Sequence, residues 1–189
     1  MKPAVFLDRD GVLNAEIEGP PRRPPWQLEE LRILPGVEQS LQRLAGSGFA
    51  LFVVTNQPDI ARGDVSLDAV TAIHRRLFEM LPLDDVYACP HTNEDGCYCR
   101  KPLPGLVEMA AREHDIELAE SWLIGDRWVD IAAAHAAGVR GVLLEQERSW
   151  WASSAGQPPP ALRPDATVES IEEATDLILG TLFVNRLDR

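Results

Sequence analysis

The sequence has 189 residues, of which 45% are apolar, enough to bury the core of one domain but not of two ordinary ones. Its formal net charge of −12 opposes attraction to nucleic acid or to an anionic membrane surface. No apolar stretch reaches the length of a membrane span. We therefore expect a single cytoplasmic domain over residues 1–189 that is monomeric and binds neither nucleic acid nor membrane.

The first predicted element is a buried strand over residues 4–7, a continuous apolar run of the kind found in central parallel strands. Asp8 and Asp10 follow it directly. Residues two apart in an extended segment project to the same side, so both carboxylates can face one metal ion and one phosphate. The alternative is a solvated turn, because Asp and Gly are common turn residues.

Residues 15–34 contain a proline-rich run that is incompatible with a helix. We predict a folded flap over the strand ends, with Arg22, Arg23 and Trp26 as side chains suited to holding anions and rings. A surface loop without a binding role is the other interpretation.

The rest of the chain alternates helical and strand patterns, and residues 149–165 form a loop rich in Pro and Ser. This alternation predicts an α/β fold, a three-layer α/β/α sandwich around a mainly parallel sheet, with no large cap domain. His74 is predicted to be an ordinary helix residue. Predicted helices cover 35–46, 66–80, 104–114, a segment ending at 137, and 169–182; predicted strands cover 49–54, 85–88, 122–124, 141–144 and 167–168.

Polar side chains follow several of the predicted strands. Thr55 and Asn56 end the second strand, Lys101 follows a cysteine-rich loop, and Asp126 ends the strand at 122–124. Ligands of open α/β sheets bind at the carboxyl ends of the strands. A phosphatase needs such a set, because a carboxylate can attack phosphorus while a metal ion, a hydroxyl and an ammonium neutralise the phosphate oxygens.

The cysteine-rich loop, residues 89–99, offers three thiols and one imidazole within a short stretch, which suits a closed tetrahedral zinc site. A Cys97–Cys99 disulfide is the alternative, but it would close an awkward small ring and leave Cys89 unpaired. We predict a structural zinc ion that fixes the loop presenting Arg100 and Lys101. Its four ligands would be Cys89, His91, Cys97 and Cys99.

Four motifs occur in a characteristic order: Asp-x-Asp-Gly-Val at 8–12, Val-Val-Thr-Asn at 53–56, Arg-Lys-Pro at 100–102 and Gly-Asp-x-x-x-Asp at 125–130. Together they resemble the haloacid dehalogenase (HAD) superfamily of phosphohydrolases over residues 5–141. The resemblance implies a Rossmann-like fold and magnesium-dependent hydrolysis of a phosphate monoester.

The same resemblance implies a role for each motif residue. Asp8 would be the nucleophile and Asp10 the general acid, which later activates the hydrolytic water. The Asp8 carboxylate, the Asp10 backbone carbonyl and Asp126 would hold Mg²⁺. The transferring phosphoryl group would be cradled by Thr55, Asn56 and Lys101.

The zinc loop followed by Arg-Lys-Pro resembles one branch, the D-glycero-D-manno-heptose 1,7-bisphosphate 7-phosphatases and the related histidinol-phosphate phosphatases. Within that branch, Arg100 and Arg127 would contact the substrate. Residues 16–19 depart from the Gly-Tyr-Val-like segment expected in the flap. Because the flap touches the non-reacting end of the substrate, histidinol phosphate or another small phosphorylated metabolite stays an alternative to the heptose bisphosphate.

Two further alternatives differ in kind. A phosphotransferase or mutase of the same superfamily would need a larger cap to exclude water from the phosphorylated enzyme. A zinc-stabilised binding protein without activity would not need the complete set of catalytic side chains.

Overall fold

A computed structural model describes residues 1–151 and 155–187. Within these residues, six parallel strands form one sheet in the order β3-β2-β1-β4-β5-β6. The first strand therefore lies at the centre, with the chain's second and fourth strands beside it. The strands are β1 (Ala4–Leu7), β2 (Ala50–Asn56), β3 (Asp85–Cys89), β4 (Trp122–Gly125), β5 (Arg140–Leu144) and β6 (Ala166–Val168).

Helices cover both faces of the sheet. On one face, Val5 and Leu7 of β1 share a core with side chains of helices α1 (Val37–Gly46) and α6 (Ile171–Leu187). On the other, Ala4 and Phe6 pack with those of α4 (Gly105–His114) and α5 (Trp128–Ala137). This alternation follows from the two-residue period of a strand. The helices are α1 (Val37–Gly46), α2 (Asp59–Arg62), α3 (Leu67–Met80), α4 (Gly105–His114), α5 (Trp128–Ala137) and α6 (Ile171–Leu187).

The predicted three-layer sandwich is confirmed, and the sheet of the described residues is parallel throughout. Several elements differ in length from the predictions: β2 continues to Asn56, α1 begins at Val37 instead of 35, and α6 continues to Leu187 instead of ending at 182. The short helix α2 was not predicted, because four residues are too few to show a helical period. Residues 152–154 of the predicted 149–165 loop lie outside the described residues.

The flap, residues 15–34, is compact and lies against the body of the protein. Its ends are joined by a bridge between Asn14 and Ile33, and Ile17 pairs with Arg23. The indole nitrogen of Trp26 donates a hydrogen bond to Asp59 of α2 at 3.0 Å. In the described part of the chain, no helix has both the length and the apolar character needed to cross a membrane.

Candidate functional site

Three carboxylates meet at the carboxyl edge of the sheet. Asp8 follows β1, Asp126 follows the neighbouring β4, and Asp130 lies in the first turn of α5. One oxygen of each lies within 4.8 Å of the others. They converge because β1 and β4 are parallel neighbours whose ends meet at the same edge.

Lys101 lies inside this group. Its ammonium is 2.8 Å from Asp8, 2.5 Å from Asp130 and 2.8 Å from the backbone oxygen of Val54. Burial alone would lower the pKa of Lys101, but Asp130 and Asp8 outweigh it and shift the pKa upward. The side chain is therefore a buried ammonium with fixed neighbours.

The cluster is short of positive charge, since one ammonium faces three carboxylates. Burial raises the pKa of Asp8 to about 6, against the attraction of Lys101. Burial, followed by repulsion from Asp8 and Asp130, also raises the pKa of Asp126 well above its ordinary value. Arg127 and Lys101 lower the pKa of Asp126 but do not outweigh burial, and a further cation among these oxygens would favour the ionised carboxylates.

A divalent cation with oxygen ligands fits this arrangement. The Oδ1 atom of Asp126 is buried and has no hydrogen-bond partner among the described residues. A Cβ added to Gly11, whose φ is +88°, would lie 2.6 Å from the other Asp126 oxygen, so glycine lets that carboxylate approach the loop after β1. Asp8 and Asp126 therefore have the chemistry and the free oxygen that a magnesium ion requires.

Asp10 is held by three side chains. The guanidinium of Arg9 is 3.0 to 3.1 Å from its two oxygens, Asn14 donates at 2.9 Å and Gln57 donates at 2.8 Å. The amide of Gln57 also donates to the hydroxyl of Thr55 at 2.9 Å. The orientation of the Asp10 carboxyl is consequently fixed from the protein side.

Asn56 contacts Lys101 through both ends of its amide. The side-chain nitrogen donates to the backbone oxygen of Lys101, and the side-chain oxygen accepts from its backbone nitrogen, each at 3.0 Å. This pair ties the end of β2 to the loop that carries Lys101. The observed contacts of the Asn56 amide thus position the loop, whereas the family resemblance expects it to bind phosphate.

A cavity of about 700 Å³ opens over these groups. It is lined by every residue predicted for catalysis, magnesium binding or substrate binding, and by part of the flap. The structure therefore brings together predicted side chains from four separate stretches of the sequence, with the flap as a fifth. The predicted residues at the cavity are Asp8, Asp10, Thr55, Asn56, Arg100, Lys101, Asp126 and Arg127.

Arginines surround the mouth of the cavity. Arg100 is fixed to the cysteine loop by hydrogen bonds to Asn93 and to the backbone of His91. The Nε atom of Arg127 is buried and has no hydrogen-bond partner among the described residues. Arg22 and Arg23 from the flap and Arg62 from α2 also line the cavity. The mouth is therefore suited to an anionic ligand, although the protein as a whole is acidic.

The cysteine loop brings its three thiols and one imidazole together. The Sγ atom of Cys97 lies 3.6 Å from Sγ of Cys89 and 3.5 Å from Sγ of Cys99. The Nδ1 atom of His91 lies 3.6 Å from Sγ of Cys89 and 3.3 Å from Sγ of Cys99. The cysteines are not joined by disulfides. Ligands around a tetrahedral zinc ion are separated by roughly 3.5 to 3.8 Å, so the cluster fits that ion.

Sequence reasoning missed a second group behind the cavity. Arg9 is fully buried, and His74 of α3 contacts it from the far side. A signal was available, because if Asp8 and Asp10 both face the cavity, the side chain between them is the one expected to turn into the protein. Its contact with α3 could not be read from any local pattern.

Comparison with known proteins gives consistent matches. Residues 98–174 match the HAD-hydrolase-like family. The chain is 40% identical to the D-glycero-D-manno-heptose-1,7-bisphosphate 7-phosphatase of Thermosynechococcus vestitus, over 76% of this chain and 79% of that protein. It is 37% identical to the corresponding β-anomer enzyme of Rhodopseudomonas palustris, over 77% of this chain and 85% of that protein.

A solved structure resembles the fold over nearly its whole length. It is the D,D-heptose 1,7-bisphosphate phosphatase of B. bronchiseptica complexed with magnesium and phosphate. The TM-score is 0.76 at 30% identity, and the match covers 95% of this chain and 99% of the other.

Proposed function

The chain belongs to the HAD superfamily of phosphatases, in its heptose bisphosphate phosphatase branch, and from this we propose that it hydrolyses the 7-phosphate of D-glycero-D-manno-heptose 1,7-bisphosphate. As a member of that family it is a phosphoric monoester hydrolase. The observation that carries the proposal is the convergence of Asp8, Asp126 and Lys101 on one cavity.

In the proposed reaction, a carboxylate oxygen of Asp8 attacks phosphorus, and the bond from phosphorus to the sugar oxygen breaks. Asp10 gives its proton to that departing oxygen, leaving an aspartyl-phosphate on Asp8. Water then attacks the phosphorus, passes a proton to Asp10 and releases inorganic phosphate. Asp8 and Asp10 are thereby returned to their starting states.

The remaining groups stabilise charge. Lys101 and the Thr55 hydroxyl line the cavity and would donate hydrogen bonds to oxygens of the transferring phosphoryl group. We assign a magnesium ion to Asp8, Asp126 and the Asp10 backbone carbonyl, since the relative from B. bronchiseptica is complexed with magnesium and phosphate. When bound, that ion supplies the positive charge that the carboxylate cluster needs and polarises a phosphate oxygen.

A second anionic group on the substrate fits the mouth of the cavity. Arg100 and Arg127 are part of the family resemblance, whereas Arg22 and Arg62 come from this chain's own flap and α2. With Arg23 of the flap, five guanidinium groups line the cavity, more than a single phosphate monoester needs; three of them, Arg22, Arg23 and Arg62, also pair with carboxylates of the flap and α2. These arginines favour the heptose bisphosphate over histidinol phosphate, which carries a single phosphate and a positively charged amino group.

We propose a structural zinc ion bound by Cys89, His91, Cys97 and Cys99. With four protein ligands there is no open coordination position, so the ion would stabilise the loop and take no part in hydrolysis. Thiolate zinc sites of this kind suit a reducing compartment, which agrees with the predicted cytoplasmic location. A single-domain monomer remains our prediction for the assembly.

The test is a comparison of substrates with Mg²⁺ present. Heptose 1,7-bisphosphate, histidinol phosphate and simpler sugar phosphates are assayed side by side for release of inorganic phosphate. We expect the highest kcat/KM for the heptose bisphosphate, and a higher value for histidinol phosphate would reverse the assignment. Sugar-to-sugar transfer without phosphate release would identify a phosphotransferase instead.

A variant tests the nucleophile in the same assay. Asp8→Asn is expected to reduce phosphate release below detection, because an amide does not attack phosphorus. Asp68→Asn is the matched control, since Asp68 is an exposed carboxylate on α3. Activity retained by Asp8→Asn would contradict the mechanism.

A further inference from the structure

A buried cation behind the cavity has no part in the mechanism so far. Arg9 is among the largest fully buried side chains of the protein, and it is not among the residues that line the cavity. A buried charge is costly unless its hydrogen bonds are satisfied and an opposite charge is near. The partners of this guanidinium therefore indicate why it is there.

Arg9 joins three elements. It contacts both oxygens of Asp10, and its Nη2 atom donates to the side-chain oxygen of Gln57 at 3.0 Å. Its Nη1 atom lies 3.1 Å from Nε2 of His74 on α3. Gln57 itself donates to Asp10, so Arg9, Asp10 and Gln57 form a closed ring that His74 supports from outside.

The direction of the contact with His74 follows from its surroundings. Burial, together with the nearby Arg9 cation, lowers the pKa of His74 to about 4. The imidazole is therefore neutral near pH 7, and its Nε2 atom accepts the hydrogen bond from Arg9. The ring proton then resides on Nδ1.

We propose that His74 is a positioning residue for proton transfer: it fixes Arg9, and Arg9 in turn fixes the Asp10 carboxyl opposite the departing sugar oxygen. The inference rests on the proposed function, in which Asp10 is the general acid. Removing the acceptor on His74 leaves a buried N–H of Arg9 unpaired, and the guanidinium must turn toward another oxygen. Its remaining hydrogen-bond acceptors are the oxygens of Asp10 and Gln57, so a shift of the guanidinium moves the Asp10 carboxyl with it.

The experiment compares two substrates that differ in their need for an acid. The leaving group of a sugar phosphate is an alkoxide, which requires a proton from an acid. The leaving group of p-nitrophenyl phosphate is a stable phenolate, which does not. We measure kcat/KM, which reports the steps up to departure of the leaving group and so isolates the acid role of Asp10. The diagnostic quantity is the ratio of the sugar phosphate value to the aryl phosphate value.

His74→Phe is expected to lower this ratio roughly tenfold, a part of the 10²- to 10⁴-fold that a general acid contributes. His74→Gln is expected to restore it to within about threefold of the wild type, since its amide oxygen can accept from Arg9. His114→Phe is the control, because His114 is a partly buried histidine of α4 that contacts Asp85 and lies outside the cavity lining.

Misfolding does not obscure the result, because the ratio is independent of the fraction of active protein, and His74→Leu provides a second apolar variant. An equal loss on both substrates, or no loss, would overturn the positioning role. Asp10→Asn separates the two levels of the argument: it must lower the ratio further than His74→Phe does. If it lowers both substrates equally, Asp10 is not the acid, and the proposed mechanism fails together with this inference.

Discussion

We predict that magnesium binds at least tenfold more weakly at pH 5 than at pH 7.5. Burial raises the pKa of Asp8 from 3.8 to about 6, so a proton and the metal compete for this carboxylate in that range. At pH 5 about one Asp8 in eleven is ionised, compared with nearly all at pH 7.5, which weakens the apparent affinity about tenfold. Asp126, whose pKa burial also raises, makes the dependence steeper.

Stability of the metal-free protein should change in the opposite direction. Because the folded pKa of Asp8 lies above its ordinary value, the proton stabilises the fold fully below about pH 3.8, and this contribution is lost as the pH rises through about 6. The interval from 3.8 to about 6 corresponds to about 3 kcal/mol. Magnesium should therefore raise the melting temperature more at pH 7.5 than at pH 5.

The assay is thermal unfolding during a magnesium titration at the two pH values. Asp126→Asn is the control, since it removes the ligand with the unpaired buried oxygen and should abolish the magnesium response at both. Zinc content is measured in parallel, so that a loss of zinc at low pH is not mistaken for weaker magnesium binding. Equal midpoint concentrations of magnesium at pH 5 and pH 7.5 would refute the competition between proton and metal at Asp8.

Three further predictions follow from contacts of the site. Lys101→Met is expected to lower kcat/KM by about 10²-fold or more and the free energy of unfolding by about 3 kcal/mol, because it leaves buried carboxylates without their ammonium. Steady-state kinetics measure the first effect and urea unfolding the second. Cys97→Ser should reduce bound zinc from one ion per chain to near zero and lower the melting temperature; full zinc occupancy in the variant would contradict the four-ligand site. Trp26→Phe removes the hydrogen bond from the flap to Asp59, worth about 1 kcal/mol, and should loosen the flap and raise KM roughly fivefold at unchanged kcat. An unaltered KM would contradict a contact between the flap and the substrate.

The sequence was sufficient to predict the arrangement of the main side chains. In a parallel sheet all carboxyl ends lie at one edge, so Asp8, Thr55 and Asp126 had to approach each other once β1, β2 and β4 were recognised. The clustering of Cys89, His91, Cys97 and Cys99 was equally predictable, because all four lie within one short loop; zinc at this cluster stays a prediction. In both cases the information is local or follows from topology alone.

The remainder depends on contacts between distant residues, which no periodic pattern reveals. Arg9 and His74 are 65 positions apart and meet only because the fold brings α3 close to the loop that follows β1. Asn56 was expected to bind phosphate from the family resemblance, and its contact with the Lys101 backbone depends on how that loop folds back. The flap is irregular, and its shape is fixed by single contacts such as the one between Arg23 and Glu30.

The flap contributes no strand to the sheet, so the part of the chain proposed to bind the far end of the substrate is separate from the part proposed to hydrolyse the phosphate. Asp8, Thr55 and Asp126, which we propose act on the phosphate, lie at strand ends of the central sheet, whereas the flap that lines the same cavity is a short peripheral segment held by a few side-chain contacts. Mutations can therefore accumulate in that segment and redirect the enzyme to a new metabolite while hydrolysis itself is inherited unchanged. Residues 16–19, where the flap differs from the segment that the family resemblance leads us to expect, are a place where such a change of substrate could arise.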